Sequence, residues 1–194
     1  MIRTARAAVL AMAMAAVVAV AGCASGSGPA DAGKPATRWA SSVCSSVREL
    51  SLSLKKLTAR VRIREGVAQS TLNQAKAQLQ GRAHALQKNA LRLASAVKDV
   101  PASADGSVRT AEQQLTAVLG RSQQSIRRVS VAAAAVQRAS TPSQLLTAVS
   151  AASDAAIGAA GDVGSLQDVL RRYRSSGQDS VQKTFAGAPS CAAL

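Results

Sequence analysis

The sequence predicts an all-α protein, in which an N-terminal segment and a flexible tether precede an antiparallel up-down four-helix bundle. Hydrophobic residues make up 47% of the 194 residues, and many of them are alanine, which has the highest intrinsic helix propensity. Aromatic residues, which favour strands, make up only 2%. Apolar residues recur in alternating steps of three and four, a spacing that places them along one side of a helix. Composition and spacing therefore agree on helices that pack along apolar seams.

The N-terminal segment has the three parts of a secretory signal. Arg3 and Arg6 form a basic start, an apolar run extends from Ala7 to Ala21, and small residues precede Cys23. The apolar run of about 15 residues is shorter than the roughly 20 that a membrane-spanning helix needs. The segment therefore predicts secretion. An ordinary cleaved signal with a cysteine nearby and an uncleaved anchor are the alternatives.

The end of this segment, Val20-Ala21-Gly22-Cys23, resembles a bacterial lipobox, and residues 1–23 resemble the signal of a bacterial lipoprotein. The resemblance implies a diacylglyceryl group on the Cys23 sulfur and cleavage between Gly22 and Cys23. It further implies an extracytoplasmic protein that is lipid-anchored to the outer face of the cell membrane. The Arg- and Ala-rich composition is typical of a high-GC genome, such as that of an actinobacterium.

The chain divides into three parts on this basis. Residues 1–22 are the predicted cleaved signal peptide, residues 23–36 the lipidated cysteine and a flexible tether, and residues 37–194 the bundle with a C-terminal tail. The tether is rich in Gly, Ser, Ala and Pro, which makes it too poor in apolar side chains to fold alone. Fully extended, it reaches about 45 Å at about 3.4 Å per residue.

Breaks in the apolar spacing divide the bundle into four helices. The predicted ranges are about 38–65, 69–98, 107–140 and 142–175. Glu65-Gly66 ends the first helix, and Pro101 ends the second because it disfavours helical geometry in the residue before it. Ser107 is the predicted N-cap of the third helix, and Thr141-Pro142 provides a cap and a first helical residue for the fourth. Gly177 lies just past the end of the fourth helix.

Short connections make sequential helices antiparallel, which predicts the up-down arrangement. Extended coiled coils that pair between chains are the alternative. The seams of the third and fourth helices contain many Ala and Ser residues, which bury little apolar area each. Gly158, Gly161 and Gly164 should also loosen or bend the fourth helix. These small residues leave room for a ligand between helices.

Two cysteines remain beside the lipid-bearing one, and an even pair in an oxidising compartment predicts a disulfide. Cys44 lies in the second turn of the first helix, and the tail with Cys191 follows a helix that ends at the same end of the bundle. A bridge between them should stabilise the fold by about 4–5 kcal/mol in the chain-entropy model. Two unrelated free thiols are the alternative. Trp39, Tyr173 and Phe185 map to this same end, and we expect them to pack together around the bridge.

The sequence contains no recognisable catalytic or metal-binding constellation. His84 is the single histidine, and its position beside the seam residue Ala83 predicts a side chain that flanks the seam in solvent. The 10 acidic residues are scattered, and no nucleophile elbow or phosphate-binding glycine loop occurs. The predicted bridge uses the two remaining cysteines, which leaves no set of metal ligands. We therefore expect a non-enzymatic protein with no cofactor and no metal.

Positive charge is the strongest remaining signal, with a formal net charge of +14. Outside the cytoplasm, the anionic candidates are lipid headgroups and wall polymers; a solvated helical surface is the alternative. Nucleic acid is not expected, because aromatic residues for base stacking are scarce and a secretion signal points away from it. The predicted contacts with an anionic surface lie near the anchored end: Arg38, Arg48, Arg92, Lys98, Arg171, Arg172 and Arg174.

These observations predict a non-catalytic, lipid-anchored helical bundle at the cell surface. Its expected work is structural, or that of a binding module that contacts the anionic envelope or a partner protein. The alternative is a carrier or sensor whose ligand lies between the helices. A solid core with a basic surface on one side would favour the binding module, and a pocket in the interior of the bundle would favour the carrier.

Overall fold

The computed structural model describes residues 33–58, 69–175 and 179–194, and these residues confirm the all-α fold class. They form four long helices, a short helix and a final 3-10 helix. The elements are α1 (Gly33–Thr58), α2 (Gln69–Lys98), α3 (Gly106–Arg138), α4 (Pro142–Ser175), α5 (Ser180–Ala186) and the 3-10 helix (Pro189–Ala193). The lipobox, the predicted helix end at Glu65-Gly66 and Gly177 lie outside the described residues.

The four long helices pack in a closed antiparallel ring. Helix α1 packs against α2 and α4, and α3 packs against the same two helices. The indole Nε1 of Trp39, near the start of α1, donates a hydrogen bond to the carbonyl of Val97, at the end of α2 (3.2 Å). The hydroxyl of Tyr173, at the end of α4, donates to Oε1 of Gln114, near the start of α3 (2.6 Å). The apolar seams therefore close on one another within one chain.

Helix α1 begins earlier than the sequence predicted. Gly33 to Ala36, which were expected in the flexible tether, form its first turn. Pro35 fits there because the first turn of a helix has no intrahelical acceptor for its missing N–H. Ala36 is buried, so the turn is also held by packing.

The N-cap of α3 is Asp105, and the prediction of Ser107 was wrong. The Asp105 carboxylate accepts a hydrogen bond from the backbone N–H of Val108 (2.9 Å), and the Ser107 hydroxyl donates to the same carboxylate (2.7 Å). These bonds favour the ionised form and lower the pKa of Asp105 to about 2. Both residue types cap helices, but here the carboxylate accepts the bond and the serine supports it.

The start of α4 follows the prediction. Pro142 is its first residue, and the hydroxyl oxygen of Thr141 accepts a hydrogen bond from the backbone N–H of Gln144 (3.2 Å). The Gln144 side chain in turn accepts from the backbone N–H of Ser140 (2.9 Å). These reciprocal bonds satisfy donors that a helix start leaves without partners.

The buried apolar residues form one contiguous core despite the many small side chains. Leucine and valine side chains fill it, and the largest fully buried side chain is Phe185. Ser125 on α3 is buried and donates to a carboxylate oxygen of Asp162 on α4 (2.5 Å), while the buried Ser122 donates back to the carbonyl of Val118 (3.4 Å). Among the described residues, no buried side-chain nitrogen or oxygen lacks a hydrogen-bond partner. The buried serines on the seam are therefore accommodated by hydrogen bonds.

The C-terminal tail closes one end of the bundle, as the cysteine count and the aromatic positions predicted. Cys44 and Cys191 form a disulfide with a Cα–Cα distance of 5.0 Å, and both residues are fully buried. The ring of Phe185 contacts the ring of Trp39 edge-on at 5.6 Å between centroids and the ring of Tyr173 at 5.3 Å. We call this end of the bundle, which holds the start of α1, the disulfide end.

None of the described helices combines the length and the apolar character that a membrane span requires.

Candidate functional site

Charge is distributed unequally among the four long helices. Helix α4 contains no lysine or arginine from Pro142 to Leu170, and its charged residues over that range are Asp154, Asp162 and Asp168. The other three helices carry cations in the half of the bundle that lies opposite the disulfide end. We call these residues the basic surface: Lys55, Lys56, Lys76, Arg82, Arg127, Arg128 and Arg138.

Few carboxylates oppose the basic surface. In the halves of α1, α2 and α3 that carry it, Glu49 is the single acidic residue of the described chain, and it forms an ion pair with Arg92 (3.4 Å). At the disulfide end, by contrast, Asp99, Asp105 and Asp179 lie among the cations. The excess of positive charge therefore lies on α1, α2 and α3, in one half of the bundle.

The structure gives several of the predicted anionic-surface contacts a partner within the chain. Besides the pair of Arg92 with Glu49, Arg171 lies 2.6 Å from the Asp168 carboxylate, and Arg174 donates to the carbonyl of Cys191 (2.9 Å). Exposure to solvent is retained by Arg38, Arg48, Lys98 and Arg172. Their contact with an anionic surface stays a prediction.

A groove of about 410 Å³ runs between α1 and α2 within the basic surface, and we call it the Lys56–Arg82 groove. Its lining residues are Ser53, Lys56, Gln78, Gly81, Arg82, Ala85 and Asn89. Arg82 is half-buried, and its Nη1 donates to the backbone carbonyl of Lys56 (2.8 Å). The Asn89 amide donates to the Ser53 hydroxyl (2.8 Å), so two cross-helix bonds fix the groove walls.

A second groove, of about 370 Å³, lies between α2 and α3, and we call it the His84 groove. Its lining residues are Gln80, Ala83, His84, Gln87, Ser130, Ala133, Ala134, Gln137 and Arg138. His84 is exposed, on the flank of the seam where its sequence position puts it. The sequence did not reveal the groove around it, because the space arises where Ala83 and Ala133 face each other on different helices. The only sequence signal for this groove was the presence of small residues, such as alanine, on the seams of both helices.

Two further grooves lie at the disulfide end, and their linings mix hydroxyl, charged and apolar side chains. One, of about 420 Å³, contains Asp105 and Lys183, and the other, of about 260 Å³, contains the hydroxyl of Tyr173. Partial burial raises the pKa of Tyr173, although the nearby charge of Arg172 opposes the shift. The Tyr173 phenol is therefore a neutral hydrogen-bond donor that joins α4 to α3.

Metal-ligating side chains do not cluster in the part of the chain that the structure describes. No three histidine, cysteine, aspartate or glutamate side chains lie close enough together there to hold a metal ion.

The fold and its grooves define a disulfide-closed helical bundle whose basic surface lies on three of the four long helices. Comparison of the chain with protein families, curated proteins and solved structures finds no match. The functional argument therefore depends on the charges and grooves of this chain.

Proposed function

We propose that the protein is a non-catalytic binding module, anchored through a diacylglyceryl group on Cys23, that holds an anionic polymer of the cell envelope against its basic surface. The observation that carries the proposal is the contrast between α4, which lacks cations over most of its length, and the other three long helices. A surface that serves only solubility has no need of such an imbalance. Clustered like charges instead attract a polyanion.

The position of the basic surface favours a polymer over the headgroups beside the anchor. The tether would enter the bundle at Gly33, at the disulfide end, whereas the basic surface lies in the opposite half. The described part of α1 extends about 39 Å at 1.5 Å per residue. An upright bundle would therefore hold its excess cations some distance above the membrane. The arginines near the anchor become secondary contacts in this proposal, because acidic residues lie among them at the disulfide end.

Two matched triple variants of the full chain test the role of the basic surface. One replaces Lys55, Arg127 and Arg128 with Gln, and the other replaces Lys98, Arg172 and Lys183 with Gln at the disulfide end. Both remove three exposed cations. Near an anionic surface each cation contributes about 1 kcal/mol, so the first variant should bind a polyol-phosphate polymer at least tenfold more weakly than the second. Equal losses in the two variants, or no binding by the wild type, would contradict the proposal.

Lipid anchoring has its own test. The full chain, expressed in a bacterium with a lipoprotein pathway, should incorporate labelled palmitate, because two or more acyl chains are needed for stable membrane attachment. The Cys23→Ala variant should lose the label and leave the membrane fraction. A wild-type protein that takes up no palmitate label, or a Cys23→Ala variant that takes up as much, would exclude a lipid anchor on Cys23.

The His84 groove supports a second candidate function, that of a carrier or sensor for a small polar ligand. The groove combines three glutamine amides with an imidazole and a guanidinium over an alanine floor, a lining suited to hydroxyl-bearing ligands. Screening small sugars and polyols for a rise in melting temperature tests this candidate. A ligand whose effect survives both His84→Ala and Gln87→Ala would not bind in this groove.

A further inference from the structure

We propose that the Lys56–Arg82 groove is a binding site for one phosphodiester group, with its adjoining hydroxyls, of a polyol-phosphate chain. The inference rests on the proposed function, because it names the ligand class for the same basic surface. The further claim is that the basic surface contains a specific ligand site, in addition to its general electrostatic attraction for anions.

Arg82 supplies an oriented guanidinium. Its side chain is half-buried, and Nη1 donates to the Lys56 carbonyl at 2.8 Å, so one of its N–H groups fixes the position of the whole fork. A guanidinium has five N–H donors, and most of them remain for a ligand. A held, planar fork matches two phosphate oxygens at once and loses less side-chain freedom on binding than a mobile one.

Lys56 supplies a second cation on the opposite wall. It is exposed, and within the described residues its ammonium group makes no hydrogen bond or ion pair. The groove lining contains no carboxylate. The nearest acidic residue on either helix, Glu49, already pairs with Arg92 at 3.4 Å. A phosphate between Lys56 and Arg82 would therefore meet two positive charges without a competing negative one.

The rest of the groove suits the groups that flank a phosphodiester. Gln78 and Asn89 present side-chain amides, and a Cβ atom built at Gly81 would meet nothing within 4 Å, so a ligand can approach the backbone of α2 there. The volume of about 410 Å³ exceeds what a phosphate group alone requires. It falls within the range of roughly 300–1,000 Å³ that is typical of small-molecule sites. The space accommodates a phosphate together with polyol hydroxyls.

The alternative role of Arg82 is purely structural, because its bond to the Lys56 carbonyl also satisfies an acceptor near the described end of α1. Lys56 separates the two explanations, since its side chain makes no bond within the described chain and its loss should not affect folding. The conservative change Arg82→Lys also separates them, because it keeps the charge but removes the fork.

The experiment measures binding of the full chain, in neutral detergent, to a fluorescent oligomer of glycerol phosphate. The variants are Lys56→Gln, Arg82→Gln and Arg82→Lys, and the matched control is Lys88→Gln, which removes an exposed cation of α2 that is not part of the groove lining. A charge-assisted hydrogen bond contributes enough that Lys56→Gln and Arg82→Gln should each weaken binding about tenfold or more. Lys88→Gln should weaken it less than threefold, and Arg82→Lys should fall between. Thermal unfolding of each variant shows whether the fold is retained.

Competitors identify the source of the phosphodiester. Unlabelled oligomer should displace the probe, whereas inorganic phosphate and detergent micelles that contain phosphatidylglycerol should displace it only at much higher phosphate concentration. Stronger displacement by the micelles would overturn the assignment to a polymer. Equal weakening by Lys56→Gln, Arg82→Gln and Lys88→Gln, or wild-type binding by Arg82→Lys, would overturn the defined site but leave the proposed function standing. No binding of the oligomer by the wild type would overturn both.

Discussion

Replacing Cys44 and Cys191 together with Ala should lower the free energy of unfolding by about 5 kcal/mol. The two cysteines are 147 residues apart in sequence, and the chain-entropy model assigns a loop of this length a stabilisation of about 5 kcal/mol at 25 °C. Small domains are stable by only about 5–15 kcal/mol in total. The disulfide would therefore supply a large share of the stability, which compensates for a core rich in alanine.

Urea denaturation of the full chain, followed by far-ultraviolet circular dichroism, measures this loss. Wild-type protein in excess reductant is the matched control, since it should unfold at the same urea concentration as the double variant. The variant itself should not respond to reductant. A loss below about 1 kcal/mol would refute the reasoning, because it would mean that the tail and its aromatic contacts already restrict the unfolded chain.

Three further predictions concern the core and the helices. Phe185→Ala should destabilise the fold by about 3–5 kcal/mol, because it empties the fully buried position between two aromatic rings; a urea titration that shows less than 1 kcal/mol would contradict this. Gly161→Ala should raise the free energy of unfolding by about 0.5–1 kcal/mol, since a Cβ atom built there meets nothing within 4 Å. The control, Gly187→Ala, should give no such gain, because its Cβ would lie 3.0 Å from the Lys183 carbonyl oxygen. The pKa of Asp105 is lowered to about 2 in the folded chain, so its stabilising effect should be complete above its unfolded pKa of about 3.9. That effect should fade as the pH drops from about 4 to about 2. In thermal melts, the wild type should therefore lose its higher melting temperature relative to Asp105→Ala over the same pH range.

The sequence predicted the fold closely because its signals are local and repeated. Thr141 and Pro142 mark the start of α4 within two residues of chain, and the spacing of the seam leucines identifies a buried side over several turns. The choice of Asp105 over Ser107 as N-cap was not predictable in this way. Both side chains are capping types, and only the backbone path shows which of them faces the N–H of Val108.

The candidate site was less predictable than the fold. Lys56 and Arg82 are 26 residues apart in sequence, and their meeting depends on the register of α1 against α2. The contacts predicted from the sequence were instead cations near the proposed anchor. Two of these, Arg92 and Arg174, bond to groups on other elements, namely Glu49 on α1 and the carbonyl of Cys191 in the tail. A count of charges cannot foresee such bonds, because they depend on which side chains the packing brings together.

By itself, the sequence determined an all-α chain, four apolar seams and a cysteine pair with three aromatic residues at one end of the bundle. Helix propensity and seam periodicity act over a few residues, so they can be recognised before the chain folds. Only the tertiary structure decided which helices are neighbours around the ring, with α1 and α3 each packed against α2 and α4. It also decided that Arg82 is held across a groove from Lys56. These features depend on the order and register of the helices around the core. Contacts between residues that are distant in sequence determine that order and register.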